Sequence, residues 1–320
     1  MKLLDSHYYV KEPRVIDVDK EPRYIKEINT KEFVKRSALD SDYDELVREN
    51  LILLKKGKPI IVYLVIPEMP SVDMVKVLKR IRYLSGKRTS GLKTKSRIFG
   101  YSPREKIRKD YCSSTGLAYE DPEAHDYICK FGSAVSGYYR RYCPEIFLQH
   151  MNMTKEKILE EWVIKESPFT SGIINKNNPL KYHFDTGNFE QVYSNMIAFK
   201  KDCVGGHLSI PEYNIGLEIG NKSLVFFDGQ AIMHGVTPFK LTSPDGYRYT
   251  IVYYTLKTMW NCDPLNDEVA RIKNVKTERE RLRYKVLTNQ PLTPEEKQII
   301  DMLEEKSSLV TRMVTTESQA

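Results

Sequence analysis

The octapeptide Lys181-Tyr-His-Phe-Asp-Thr-Gly-Asn188, KYHFDTGN, sets a histidine and an aspartate two residues apart. In an extended segment residues i and i+2 face the same way, so His183 and Asp185 can converge on one point. One imidazole and one carboxylate are an incomplete site for a divalent metal, so a third ligand is expected elsewhere in the chain. The preceding INKNNPL reads as turn chemistry, which also accounts for Asn175 and Asn177, although either could reach a ligand.

From Phe169 onward the texture is of short strands separated by turn residues. FTSGIIN (169–175), SNMIAFKK (194–201), HLSI (207–210), IGLEI (215–219), SLVFF (223–227), AIMH (231–234) and RYTIVYYTL (248–256) are the expected strands. Such spacing argues for an all-β sandwich or barrel module. Within it, His234 lies 49 residues after Asp185 and supplies the missing ligand. Two histidines and one carboxylate on a β scaffold form a facial triad that leaves metal positions open. That arrangement suits non-haem Fe(II) and oxygen chemistry, although a catalytic zinc uses the same ligand types.

Arg248 follows His234 by 14 residues, past the loop TPFKLTSPDG, and opens the next strand. A fixed guanidinium suits bidentate capture of a carboxylate better than an ammonium does. Thr250 points to the same side and can add a hydroxyl hydrogen bond. Arg-x-Thr behind a metal is what a dicarboxylate such as 2-oxoglutarate needs. Tyr249 and Tyr253 fall on the opposite face and read as core, whereas Tyr254 shares the face of Arg248. His207 is expected to be a strand histidine satisfied by a neighbour, and His125 and His150 carry no assigned role.

The remainder of the chain frames this region. A hydrophobic content of 41% over 320 residues is that of a globular protein rather than a disordered or fibrous one. The longest apolar run, Leu51–Ile66, is interrupted by lysines and a proline, so no membrane span is expected. The start MKLLDSHYYV has no secretory core, and the expected location is cytoplasmic. The five cysteines Cys112, Cys129, Cys143, Cys203 and Cys262 are odd in number and widely spaced, and read as free thiols of a reducing compartment. KPIIVYLVI (58–66) is a further strand, and Ser71 is the expected N-cap of a helix with an apolar stripe from Val72 to Leu84. Glu123–Tyr142 and Thr154–Val163 read as helices, the second capped by Thr154. After Pro264 the chain turns helical and charged, and Thr293-Pro-Glu-Glu296 carries the signature of a capping box.

Net charge is +7, and its distribution matters more than its size. Lys79–Lys109 holds twelve Lys/Arg against one acid, Glu105, and therefore carries +11. A concentrated basic stretch is the footprint of a polyanion partner, most simply nucleic acid, or else a solvated charged surface. Gly86, Gly91 and Gly100 predict that part of it is a flexible loop.

The ordered set His183-x-Asp185, His234, Arg248-x-Thr250 on short strands resembles the core of the Fe(II)/2-oxoglutarate-dependent dioxygenases. Within them HFDTGN, GGHLSIPEY and LVFFDGQAIMHGVTPF are similar to the TET/JBP branch, which hydroxylates 5-methylpyrimidines in DNA. The resemblance spans Phe169–Asp263 and implies an α+β fold. Its centre would be a double-stranded β-helix (jelly-roll) core over 166–263. An α/β layer over 1–165, bearing the basic segment 79–109, would pack on it, and a helical extension over 264–320 would complete one integrated domain. It further implies iron held by His183, Asp185 and His234, 2-oxoglutarate anchored by Arg248 and Thr250, and dioxygen as oxidant. The implied substrate is a 5-methylcytosine, or thymine, flipped out of DNA and converted to the 5-hydroxymethyl form. Lys87, Arg88, Lys93, Lys95, Arg97 and Arg104 would then contact the phosphate backbone. Two alternatives stand beside this reading: an oxygenase of the same fold acting on a protein side chain or small molecule, and a non-catalytic nucleic-acid-binding module.

Overall fold

Along the strand Tyr247–Tyr254, Tyr249, Ile251 and Tyr253 enter one apolar cluster, while Arg248, Thr250 and Val252 line a cavity on the other side. That period of two recurs in its neighbours and builds the fold. The computed structural model describes residues 1–87, 93–104 and 111–301. The chain divides into two compact units: Met1–Ser102 with Ser114–Trp260, and Pro103–Ser113 with Asn261 onward.

The first unit contains a large sheet, a small one and a two-stranded ribbon of Cys203–Gly205 with Phe239–Leu241. The large sheet runs in the order Arg14–Asp17, Leu51–Lys55, Lys58–Val65, Ser223–Phe227, Ser194–Lys201, Tyr247–Tyr254, Ser171–Lys176, Lys93–Ser102, Leu84–Lys87. The small sheet runs Glu45–Val47, Ile215–Leu217, Leu208–Ile210, His234–Val236, Leu180–His183. Pairing is antiparallel except where Arg14–Asp17 joins Leu51–Lys55 and Glu45–Val47 joins Ile215–Leu217. Residues 1–165 supply strands to both sheets.

Side-chain alternation assigns the two faces. Val62, Leu64, Ile174, Ile197, Phe199, Leu224, Phe226 and Ile251 pack with Ile128, Phe131, Val135 and Tyr138 of the helix Pro122–Tyr142. Ile61, Tyr63, Ala198 and Val225 instead pack with Leu208, Ile210, Ile215 and Leu217 of the small sheet. The helix approaches closely because residue 132 is glycine: a Cβ there would lie 2.6 Å from the Tyr253 ring. Phe131 is fully buried in this layer, and Phe131→Ala should lower unfolding free energy by about 3–5 kcal/mol in urea denaturation.

Several expectations from sequence need correction. Gly86 and Gly100 lie in the paired strands Leu84–Lys87 and Lys93–Ser102 rather than in a loop, the second strand being recruited by Ser171–Lys176; Gly91 lies outside the described residues. Ser71 is the first helical residue and Pro70 the cap, so the side chain of Ser71 caps nothing. Thr154 is interior to the helix Pro144–Lys157, where its hydroxyl donates to the Pro168 carbonyl at 3.0 Å. The strand that carries His234 begins at that residue, not at Ala231.

In the second unit, Cys112 and Cys262 form a disulfide across 150 residues of sequence, so these two are not free thiols. The fully buried Glu268 accepts from the Cys112 and Asp263 backbone N–H groups and from Arg104 at 2.5 Å. The capping box forms as expected: Thr293 N–H donates to Glu296 Oε2 at 2.9 Å and Glu296 N–H to Thr293 Oγ1 at 3.2 Å. No helix among the described residues is long and apolar enough to cross a membrane.

Candidate metal centre

Antiparallel pairing sets His234 directly opposite His183, with ring centroids 4.3 Å apart. Asp185 leaves the same strand two residues later, and its N–H donates to the Gly229 carbonyl at 2.8 Å. The Asp185 carboxylate lies 3.5 Å from His183 Nε2 and 3.8 Å from His234 Nε2. Donor atoms from all three residues fall within 4.8 Å of one another, a group that can hold a metal ion. Neighbouring ligands about 2.1 Å from an octahedral metal are about 3 Å apart, so a small contraction completes the geometry.

The backbone fixes which nitrogen each histidine presents. His183 Nδ1 is 3.0 Å from the Lys181 carbonyl and His234 Nδ1 is 3.0 Å from the Ile232 carbonyl. A carbonyl only accepts, so both Nδ1 atoms carry the proton and both Nε2 lone pairs face the common point. Phe227 meets the His234 ring edge-on at 4.9 Å and restrains it. These features fit a three-ligand metal centre in donor type, tautomer and spacing.

Gly229 is a functional position that the sequence did not announce. A Cβ there would lie 2.2 Å from Asp185 Oδ2. Gly229→Ala should therefore displace the carboxylate and weaken metal affinity by about 10–100-fold, the usual consequence of disturbing a ligand's support. Titration of the apo-protein with Fe(II) or Mn(II) measures this directly.

The triad opens on a cavity of about 630 Å³, within the roughly 300–1,000 Å³ usual for small-molecule sites. Arg248 and Thr250 line it, as do Asn175, Asn178 and Tyr254. Arg248 is 2% exposed, and burial pulls its guanidinium down to about 10. Its Nη2 donates to the Gly206 carbonyl at 3.3 Å, whereas Nε has no acceptor. No carboxylate among the described residues stands within ion-pairing distance of it. A buried, unpaired cation is expensive, and its natural complement is an anionic ligand. Asn177 braces it, accepting from the Arg248 N–H at 2.7 Å and donating its own N–H to the Arg248 carbonyl at 2.8 Å. The turn reading of Asn177 holds, since its φ is +52°.

Asn175 sits opposite Thr250 in register. Its Oδ1 accepts from Asn178 Nδ2 at 3.0 Å, and Asn178 is itself fixed by the Lys95 backbone N–H at 2.8 Å. That chain orients the Asn175 amide with its NH2 toward Thr250 Oγ1, at 3.4 Å.

The basic residues are less uniform. Arg97 is 3% exposed and pairs with Glu120 at 2.8 Å. Arg104 pairs with Asp263 and Glu268. Both are internal ion pairs rather than groups offered to a phosphate. Lys95 is exposed, Lys87 and Lys93 are a registered pair of the hairpin, and Arg88 lies outside the described residues. His207 meets Tyr43 Oη at 2.9 Å and Asp40 Oδ1 at 3.1 Å. His150 is fully buried, with burial pulling it down to about 3.

The arrangement of two facing sheets is one that a solved structure shares. No family model and no curated protein matches the sequence. NgTET1 in complex with 5mC DNA aligns over 83% of this chain and 92% of its own, at TM-score 0.54 and 14% identity, which establishes a similar fold. A 2OG-Fe(II) oxygenase family oxidoreductase from Burkholderia pseudomallei aligns over 62% of this chain and 85% of its own, at TM-score 0.41 and 10% identity.

Proposed function

We propose that this chain is an Fe(II)/2-oxoglutarate-dependent dioxygenase whose two sheets form a double-stranded β-helix. Its substrate on this reading is the 5-methyl group of 5-methylcytosine, or of thymine, in DNA, which becomes 5-hydroxymethyl. The observation that carries the reading is one cavity holding both a His-Asp-His triad and a buried guanidinium with no carboxylate partner among the described residues. The likeness in fold to a protein solved with 5mC DNA supports the choice of substrate.

His183 and His234 would hold the metal through Nε2, and Asp185 through its carboxylate. Arg248 and Thr250 would hold the far carboxylate of 2-oxoglutarate, with Asn175 beside them as a directed donor. Bound iron, with dioxygen and 2-oxoglutarate, supplies the oxidising power for hydroxylation. The residues of the chain position the methyl group, exclude water and keep both imidazoles in the ligating tautomer. A base inside a duplex cannot reach such a cavity, so the nucleotide must be extruded.

Incubation with methylated DNA, Fe(II), ascorbate and 2-oxoglutarate, followed by digestion and mass analysis of nucleosides, tests this. A 5-hydroxymethyl nucleoside is expected; succinate formation with unchanged nucleosides would refute the DNA substrate. One observation favours a second reading, oxygenation of a protein side chain or small molecule. Arg80, Arg97 and Arg104 are all engaged by internal carboxylates, which leaves less of the basic segment for phosphate.

A further inference from the structure

Lys200 lies directly opposite Arg248 in the pairing of Ser194–Lys201 with Tyr247–Tyr254. Directly paired residues project to the same face, with Cβ atoms about 5 Å apart. The two cations end on consecutive carbonyls: Lys200 Nζ donates to Gly205 at 2.8 Å and Arg248 Nη2 to Gly206 at 3.3 Å. Gly205 and Gly206 have φ of +79° and +74°, a left-handed pair that L side chains rarely adopt. A Cβ on Gly205 would also strike the Pro238 carbonyl at 2.4 Å, so this turn is built for glycine.

Like charges directly opposite on a sheet repel, and burial adds to the penalty. Among the described residues neither cation has a carboxylate within ion-pairing distance. Cys203 is the ionisable group near both, and burial pushes its thiol up, so it brings no negative charge. Glu218 exerts a longer-range attraction on Lys200 alone, and the neutral carbonyls of the glycine turn leave Arg248 with no carboxylate of its own among the described residues.

We propose that Lys200 and Arg248 form a two-cation seat for a single carboxylate, with Lys200 determining affinity and selectivity for the dianionic co-substrate. This rests on the proposed 2-oxoglutarate reading of the cavity that Arg248 lines; Lys200 stands beside Arg248 in register, just beyond the lining residues. Arg248 supplies planar, directional donors and Lys200 a compact point charge. Binding of the carboxylate relieves the repulsion between them, so the seat favours a fully charged far end over a neutral amide.

The test is calorimetric binding of 2-oxoglutarate to the Mn(II)-loaded protein without oxygen, comparing wild type with Lys200→Met, Lys200→Arg and Arg248→Met. Loss of a charge-assisted hydrogen bond corresponds to about 10–100-fold weaker binding, which is the expected result for Lys200→Met. Lys200→Arg should recover most of it, and Mn(II) affinity alone should be unchanged in all three. Apo Lys200→Met should melt no lower than wild type, because a repulsion has been removed; a marked drop would assign Lys200 to packing and overturn the proposal. Wild-type affinity in Lys200→Met, with binding lost in Arg248→Met, would overturn the proposal while leaving the co-substrate reading standing. Failure of the Mn(II)-loaded wild type to bind 2-oxoglutarate would overturn both.

Discussion

Asp185→Ala is expected to abolish metal binding and turnover together. The carboxylate is the only anionic member of the triad and lies 3.5 and 3.8 Å from the two imidazole Nε2 atoms. Disturbing merely the support of a metal ligand costs about 10–100-fold, so removing the ligand itself should exceed that range. Two neutral imidazoles cannot offset the charge of a divalent ion. The fold should survive, since Asp185 is partly exposed and belongs to no apolar cluster. The discriminating measurement pairs metal titration with the melting curve. Lost metal affinity at an unchanged apo melting temperature is the expected outcome, whereas retained affinity would remove Asp185 from the ligand set.

Arg248→Met should split stability from binding in opposite directions. The guanidinium is pulled down from its ordinary value to about 10 by burial, so its protonated form is less favoured in the folded chain than in the unfolded one. The sign follows from linkage: the unfolded state binds the proton more tightly, so the penalty is fully present below about pH 10 and is relieved only as pH rises beyond it. Across the physiological range an apolar replacement of similar length removes that penalty. Exchange of buried charge for well-packed apolar groups is often neutral or stabilising by about 1–4 kcal/mol, and the apo variant should melt at or above wild type. Binding of 2-oxoglutarate should fall by about 2–5 kcal/mol, or about 30-fold to several thousandfold, because the bound carboxylate would be left unpaired. A destabilised apo variant with unaltered 2-oxoglutarate affinity would show that Arg248 serves packing alone.

The grouping of His183, Asp185 and His234, whose donor atoms lie within 4.8 Å of one another, was legible in the sequence because each residue obeys a local rule. His183 and Asp185 are an i, i+2 pair on an extended segment, and His234, Arg248 and Thr250 follow on strands with clear turn signals. Alternation in RYTIVYYTL also placed Tyr249 and Tyr253 in the core and Tyr254 in the cavity wall. What escaped depends on partners distant in sequence. Arg14–Asp17 and Glu45–Val47 are too short for a periodic signal and exist because Leu51–Lys55 and Ile215–Leu217 pair with them. Gly86 and Gly100 read as loop residues because glycine content is local while the pairing of Lys93–Ser102 with Ser171–Lys176 is not. Arg97 and Arg104 read as surface charge because neither Glu120 nor Glu268 is near them in sequence. The Cys112–Cys262 link joins residues 150 apart, with no spacing motif to mark it. Gly229 and Lys200 were silent for the same reason: their importance lies in what stands opposite them, Asp185 and Arg248.

The most direct test of the Fe(II)/2-oxoglutarate assignment uses heavy-isotope dioxygen with methylated DNA, Fe(II) and 2-oxoglutarate, followed by mass analysis of both products. One labelled oxygen in succinate and the other in a 5-hydroxymethyl nucleoside, both absent with Asp185→Ala, is the expected result. Iron-loaded protein that leaves 2-oxoglutarate unconsumed, or succinate without label, would contradict it.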